Sequence, residues 1–299
     1  MIQIANAPCS WGVLEFDLEG EAAGYQQVLD EIRETGYAGT ELGDWGFMPT
    51  DPGELSKVIR LRGLELIGAF VPVGLSDASN HTSGAANAVK TAQLMMDAGY
   101  TRAFIVLSDD NGKNPVRTTN AGRITPAMGL DKSRWKIFAE GAEYVALQVR
   151  KETGLRTVFH HHCAGFVETY EEISMLMELT DPSLLGLCLD TGHLKFAGGD
   201  PFEALHEFRD RIWHVHFKDC HPDIAAQSAR EGWDYFTSVK HGVFCELGMG
   251  DIDFAGIFKD LKNSRYEGWI VVEQDVLPGM GSPKYCALNN REFLSSIGL

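Results

Sequence analysis

Positive charge is scarce in this chain: 26 Lys and Arg stand against 42 Asp and Glu, a formal net charge of -16. Such a surface repels phosphate backbones and anionic lipid, which argues against nucleic acid or a membrane as a partner. Long apolar runs are missing too. None approaches the roughly 18 residues that a membrane span needs, and the opening "MIQIANAPCSWG" has no basic segment ahead of an apolar one. The expectation is a soluble cytoplasmic protein. The six cysteines (Cys9, Cys163, Cys188, Cys220, Cys245 and Cys286) include no CxxC pair. That spacing speaks against a structural zinc motif and fits reduced thiols better than a disulfide framework. Also absent is a G-x-G-x-x-G after the first strand, which removes the main sign of a doubly wound dinucleotide fold.

What is present is an alternation of short apolar runs with longer amphipathic segments, the pattern of βα units around a parallel sheet. Eight runs read as strands: "IQIANAP" from Ile2, "GTELGD" from Gly39, "ELIGAFV" from Glu65 and "RAFIVLSD" from Arg102, then "RTVFHHH" from Arg156, "LGLCLDTG" from Leu185, "IWHVHFKD" from Ile212 and "WIVVEQD" from Trp269. Helical patterns separate them, such as "YQQVLDEIRETG" from Tyr25, with Val28, Leu29 and Ile32 on one face and Gly36 as its stop. Eight such units in 299 residues give the count of a (β/α)8 TIM barrel forming one domain over 1–299. Two connections exceed plain turns, about 109–132 and 220–253, and both start where a strand ends. Both are therefore expected over the C-terminal face, either as solvated excursions or as a cover for a site.

Residues at the C-terminal ends of barrel strands converge on one mouth. The fifth run ends in His160, His161 and His162, three of only ten histidines, and the sixth in Asp190, Thr191, Gly192 and His193. The seventh carries His214, His216, Lys218 and Asp219, and the eighth Glu273 and Asp275. A single strand-end carboxylate is usually a cap or half of a salt bridge. Four successive strands each offering an imidazole or carboxylate suit a divalent cation held by two nitrogens and two oxygens. Side chains at i and i+2 share a strand face, so His160 and His162 point one way and His161 the other, and the triplet cannot be a three-histidine chelate.

The blocks "LDTGHLKFAGGDP" and "HVHFKD", with "GYAGTELG", "FHHHCAG", "GVFCELGMGDIDFAGIF" and "GWIVVEQD", resemble the xylose isomerase-like TIM-barrel superfamily and, within it, the inosose dehydratases. The resemblance covers nearly the whole chain. It implies one metal ligand from each of strands five to eight: His161, Asp190, His216 and Glu273. The strand-five histidine departs from the glutamate usual in the wider superfamily. The implied cofactor is a divalent ion such as manganese, cobalt, zinc or iron, with no organic cofactor. A small polyol or keto-sugar is the implied substrate, and a homo-oligomer is compatible with the reading.

The implied reaction removes a proton next to a ketone and expels a β-hydroxyl as water. Glu273 is the expected base, and His162, His193 or Lys218 the acid that meets the leaving group. Lys218 could equally be a salt-bridge partner, and His193 a packed core histidine. Trp11, Glu41, His81, His160 and Asp219 are candidate substrate contacts, with Trp45, Phe70 and Asn80 also near strand ends. A ketose isomerase or epimerase is the alternative within the same chemistry. An endonuclease IV-like nuclease is opposed by the charge, and a barrel that binds without a metal would require the strand-end ligands to hold no cation.

Overall fold

The computed structural model describes residues 2–13, 23–277 and 280–299. Ten strands follow in chain order: β1 (Gln3–Asn6), β2 (Gly39–Glu41), β3 (Glu65–Pro72), β4 (Phe104–Ser108) and β5 (Arg156–His160), then β6 (Leu185–Asp190), β7 (Ile212–Phe217), β8 (Asp219–Cys220), β9 (Phe244–Cys245) and β10 (Trp269–Val272). All the expected runs form strands. β1 to β7 and β10 close into a barrel whose neighbours pair in parallel, with β10 between β7 and β1. This is a (β/α)8 TIM barrel.

Strands buried on both faces by the barrel interior and the surrounding helices need near-continuous apolar sequence, which β4 ("FIVLS") and β6 ("LGLCLD") supply without one exposed residue. The first helix (Tyr25–Glu34) lays Val28, Leu29 and Ile32 against the barrel, the face read from its spacing. Helix starts are set by side-chain caps: Asp51 accepts the Glu54 N–H, Asp131 those of Ser133 and Arg134, and Thr169 forms a capping box with Glu172. Among the described residues, no helix is long and apolar enough to cross a membrane.

The two long connections are not solvated loops. The first folds into the helix Pro115–Thr119 and a 3-10 turn at Pro126–Met128. The second makes the antiparallel pair β8–β9 and the helices Pro222–Glu231 and Tyr235–Lys240. They grip one another: Arg123 donates to the Ser228 carbonyl at 3.3 Å and to the Trp233 carbonyl at 2.9 Å. Ala121 from the first connection and Tyr235, Val239, Val243 and Phe244 from the second share a small apolar core with Cys163, Ala164 and Phe196. The connections thus build a roof with its own core beyond the C-terminal ends of β5 and β6.

Candidate active site

β5 to β7 and β10 deliver one polar side chain each to a common point. His160 and Asp190 are the last residues of β5 and β6, His216 lies opposite Asp190 in the β6–β7 register, and Glu273 follows β10 with its N–H on the Phe217 carbonyl. His160 Nε2 lies 3.5 Å from Asp190 Oδ2, which is 3.9 Å from His216 Nδ1; His216 Nδ1 in turn is 3.2 Å from Glu273 Oε1. Donors bound to one ion at about 2.0–2.2 Å stand roughly 3–3.5 Å apart, close to this spacing. All four residues are buried, and His160 Nε2, Asp190 Oδ2 and His216 Nδ1 have no hydrogen-bond partner among the described residues. Buried polar atoms are ordinarily satisfied, and these three converge on one spot. Two imidazole nitrogens and two carboxylate oxygens form a donor set that fits a divalent ion and does not discriminate among manganese, cobalt, zinc and iron.

Asp190 shows how the fold divides one side chain between two tasks. Its Oδ1 caps the helix Thr191–Phe196 by accepting the His193 N–H at 2.8 Å, which leaves Oδ2 for the cluster. Beside the quartet lies a charged knot around Lys218. Its Nζ is 2.9 Å from Asp275 Oδ1, 3.2 Å from Glu273 Oε2, 3.6 Å from Asp190 Oδ2 and 2.9 Å from His193 Nε2. Burial opposes the ammonium, yet Asp190, Asp275 and Glu273 keep the Lys218 pKa well above its ordinary value. In return, against the same penalty of burial, Asp190 is held well below the usual carboxylate range by Lys218 and the neighbouring imidazoles, and Glu273 by His216 and Lys218. Lys218 can pass so close to Asp190 because residue 192 is glycine. A Cβ there would stand 2.6 Å from Lys218 Cγ and 2.9 Å from its carbonyl oxygen.

The strand-five assignment shifts by one residue. His160, not His161, joins Asp190, His216 and Glu273. His161 lies just past the end of β5, fully buried, and its Nε2 accepts the Asp190 N–H at 3.0 Å. Burial holds its pKa down at about 3, so the ring is a neutral acceptor that steadies the end of β6. His162 donates from Nδ1 to the Cys163 carbonyl at 2.5 Å, leaving the Nε2 lone pair inward, 3.5 Å from the Tyr235 hydroxyl. Burial and the nearby His160 and Lys218 drive its pKa well below the ordinary value. His193 is fully enclosed, its ring 3.8 Å from that of His162, and it does not line the pocket.

A small pocket of about 50 Å³ opens onto this constellation, lined by Cys9, Glu41, Asp44, Phe70, His160, His162, His216, Lys218, Glu273 and Asp275, among others. Of the other expected substrate contacts, three lie elsewhere. Trp11 is spent on Glu31, donating its indole N–H to Oε2 at 2.6 Å. His81 starts the helix His81–Asp97, bonds to the Leu75 carbonyl and packs over Gly141. Asp219 accepts the N–H groups of Cys220, Gly248 and Gly250, tying down the loop behind β9. Trp45 is 43% exposed beneath Lys90, and Asn80 bonds to the Gly74 carbonyl.

The residue that sequence reasoning missed is Tyr235. It comes from the roof, and its hydroxyl donates to Asp275 Oδ2 at 3.0 Å. Nothing in the sequence around it distinguishes it from a packing tyrosine. Asp44, also at the pocket, ends the second strand run and Cys9 directly follows the first, so the strand-end rule could have picked up both.

Comparisons with known proteins agree with this geometry. A family model described as xylose isomerase-like TIM barrel matches residues 29–290. The chain is 35% identical over 297 residues to an inosose dehydratase of Geobacillus kaustophilus, covering 99% of this chain and 94% of that protein. It is 30% identical over 295 residues to an inosose dehydratase of Lacticaseibacillus casei, covering 99% and 97%. Two solved structures share the fold. One is a probable 3-DHS dehydratase from Bacillus anthracis, with TM-score 0.70, 12% identity and 98% and 99% coverage. The other is a 3-keto-D-glucoside 4-epimerase from E. coli, with TM-score 0.64, 17% identity and 99% coverage of both chains. With the strand-end quartet, the closed barrel and full-length similarity in agreement, this chain belongs to the xylose isomerase-like TIM-barrel family.

Proposed function

We propose that this protein is a metal-dependent hydro-lyase acting on an uncharged cyclic polyol ketone, converting 2-keto-myo-inositol to a trihydroxycyclohexane dione and water. The observation that carries the reading is the buried donor quartet His160, Asp190, His216 and Glu273 set against the Lys218–Asp275 pair. Full-length similarity to proteins named inosose dehydratase supports the substrate. His160, Asp190, His216 and Glu273 would hold a divalent ion, which when bound would supply Lewis-acid assistance to the ketone.

The side chains do the proton work. Glu273 takes the α-proton, its basicity steered by Lys218 at Oε2. The electron pair released from the C–H bond forms the new double bond as the β C–O bond breaks. The departing hydroxyl takes a proton from Lys218, the charged donor that faces the pocket, and leaves as water. Asp275, itself held by Tyr235, sustains Lys218 as a cation. His162, neutral with its Nε2 lone pair inward, accepts a substrate hydroxyl proton in a hydrogen bond, and the enclosed His193 positions Lys218. The charge of the pocket narrows the substrate: Glu41, Asp44, Glu273 and Asp275 line it against one lysine and no arginine. A phosphorylated or carboxylated sugar would meet net repulsion, and a neutral polyol would not. Epimerisation is the lesser reading, because a second carboxylate base on strand five is replaced by His160.

The test is proton NMR in D2O after incubation with 2-keto-myo-inositol, using EDTA-stripped protein restored with catalytic manganese or cobalt and chelated before observation. Formation of the cyclic diketone, abolished in Asp190→Ala and Glu273→Ala, is the expected result. Deuterium incorporation without loss of water would move the protein to the isomerases. An unchanged substrate would remove 2-keto-myo-inositol as its ligand.

A further inference from the structure

His216 differs from the other imidazole of the quartet in having a carboxylate at each ring nitrogen. Nδ1 lies 3.2 Å from Glu273 Oε1, and Nε2 lies 3.1 Å from Glu41 Oε1. Glu41 ends β2 and reaches across the barrel to β7, where the same oxygen also meets His214 Nε2 at 2.8 Å. Its position is prepared by β3. Residue 68 is glycine, and a Cβ there would stand 3.0 Å from Glu41 Oε1. Glu41 is buried, and although burial alone would favour its neutral form, His216 and His214 hold its pKa at about 2.

A neutral imidazole has one N–H to give and one lone pair. A carboxylate stands at hydrogen-bond distance from each nitrogen of His216, but Nε2 faces Glu41 alone while Nδ1 also faces Asp190 and the rest of the quartet. With a cation on the quartet, Glu41 keeps the proton on Nε2 and the lone pair falls on Nδ1. His214 is under the same constraint: its Nε2–H goes to Glu41, and its Nδ1 has no partner among the described residues. The geometry points to Glu41 as a positioning residue that fixes the tautomer and ring plane of His216, so that Nδ1 is always presented as a ligand. This role replaces the substrate-hydroxyl contact expected from sequence, and it rests on the metal reading of the proposed function. Partners of this kind raise the basicity of a ligating imidazole and remove the cost of reorienting it. The other arrangement open to Glu41, His214 and His216 is a second cation bridged through the His216 ring. It is disfavoured because both nitrogens already sit at hydrogen-bond distance from one oxygen, and only three donors are at hand.

The experiment uses the full-length chain stripped with chelator, as wild type, Glu41→Gln and Glu41→Leu. Mn2+ is titrated by calorimetry with EPR counting of the free ion, and long-range 1H–15N NMR reads the histidine tautomers before metal is added. The expected wild-type result is one Mn2+ per chain, with His216 carrying a proton on Nε2. The variants should bind Mn2+ about 10–100-fold more weakly, with the His216 tautomers mixed in Glu41→Leu. A wild-type His216 bare on Nε2 would overturn the inference without any variant. So would variants that keep both the tautomer and the Mn2+ affinity, or a second Mn2+ per chain that disappears in Glu41→Gln. A wild type that binds no divalent ion would instead sink the metal reading, while the NMR arm still reports whether Glu41 sets the tautomer.

Discussion

Replacing Lys218 by Met keeps the length and most of the volume of the side chain and removes only its charge. The ammonium lies within 2.9–3.6 Å of Asp275, Glu273 and Asp190, all buried, so its loss leaves three carboxylates facing one another without their shared cation. Breaking a buried ion pair from one side costs about 3–5 kcal/mol. With an unfolding entropy of about 0.6 kcal/mol/K for a chain of this length, the stripped variant should melt about 5–8 °C below stripped wild type. A divalent ion on the quartet restores counter-charge to two of those carboxylates, Asp190 and Glu273, so the gap should narrow in the presence of Mn2+. Differential scanning calorimetry of both proteins, with EDTA and with Mn2+, measures both gaps. The reasoning is refuted if the stripped variant melts within about 1 °C of wild type, or if Mn2+ leaves the gap unchanged.

Further expectations test other parts of the account. His160→Gln should lose Mn2+ affinity by more than about a hundredfold while His161→Gln keeps it within about tenfold; equal losses by calorimetry would undo the strand-five assignment. Tyr235→Phe removes a hydrogen bond to a buried carboxylate and should lower kcat by about 10–100-fold with KM little changed; an unaltered kcat would detach the roof from the chemistry. Glu168, behind the site, accepts the Gly122 and Ala164 N–H groups, and burial raises its pKa to about 7. A carboxyl so raised keeps in the folded state a proton that the unfolded chain releases. Its contribution is therefore full below the unfolded pKa near 4.5 and is lost as pH rises through 7. Wild type should lose about 2.5 kcal/mol relative to Glu168→Gln between pH 5 and pH 8, as read by urea unfolding, and a pH-independent difference would rule out the raised pKa.

The barrel was legible because each strand is a short apolar run that stops in polar residues, and a register of eight such runs admits few closures. The same rule offered Asp190, His216, Lys218 and Glu273 among a larger set of strand-end polar residues, and the family resemblance singled out Asp190, His216 and Glu273 as ligands. The histidine triplet shows its limit. Alternation correctly separated His161 from His160 and His162 but could not say which face looks inward, and β5 ends at His160, so its two successors follow a turn rather than a pleat. Asp219 looked like a substrate contact two positions beyond Phe217, yet it begins β8, a two-residue strand that pairs antiparallel with β9 outside the barrel. Trp11 and His81 belong to the strand ends in sequence, but in space the first turns to Glu31 and the second to Gly141. Tyr235 was out of reach for a different reason: its partner Asp275 is forty residues away, and local pattern carries no information on such contacts.

The roof ties together segments far apart in the chain, Arg123 reaching Trp233 across 110 residues and Tyr235 reaching Asp275. Loop closure on that scale comes late in folding, after the local βα units have formed. A nascent chain halted before the seventh strand leaves Arg123 without its Ser228 and Trp233 acceptors and Ala121 with only the part of its core that Cys163, Ala164 and Phe196 supply, however complete its first strands are. The catalytic mouth is thus the last region to mature, and slow folding of this protein should surface as a species with barrel-like helicity that has not yet acquired activity.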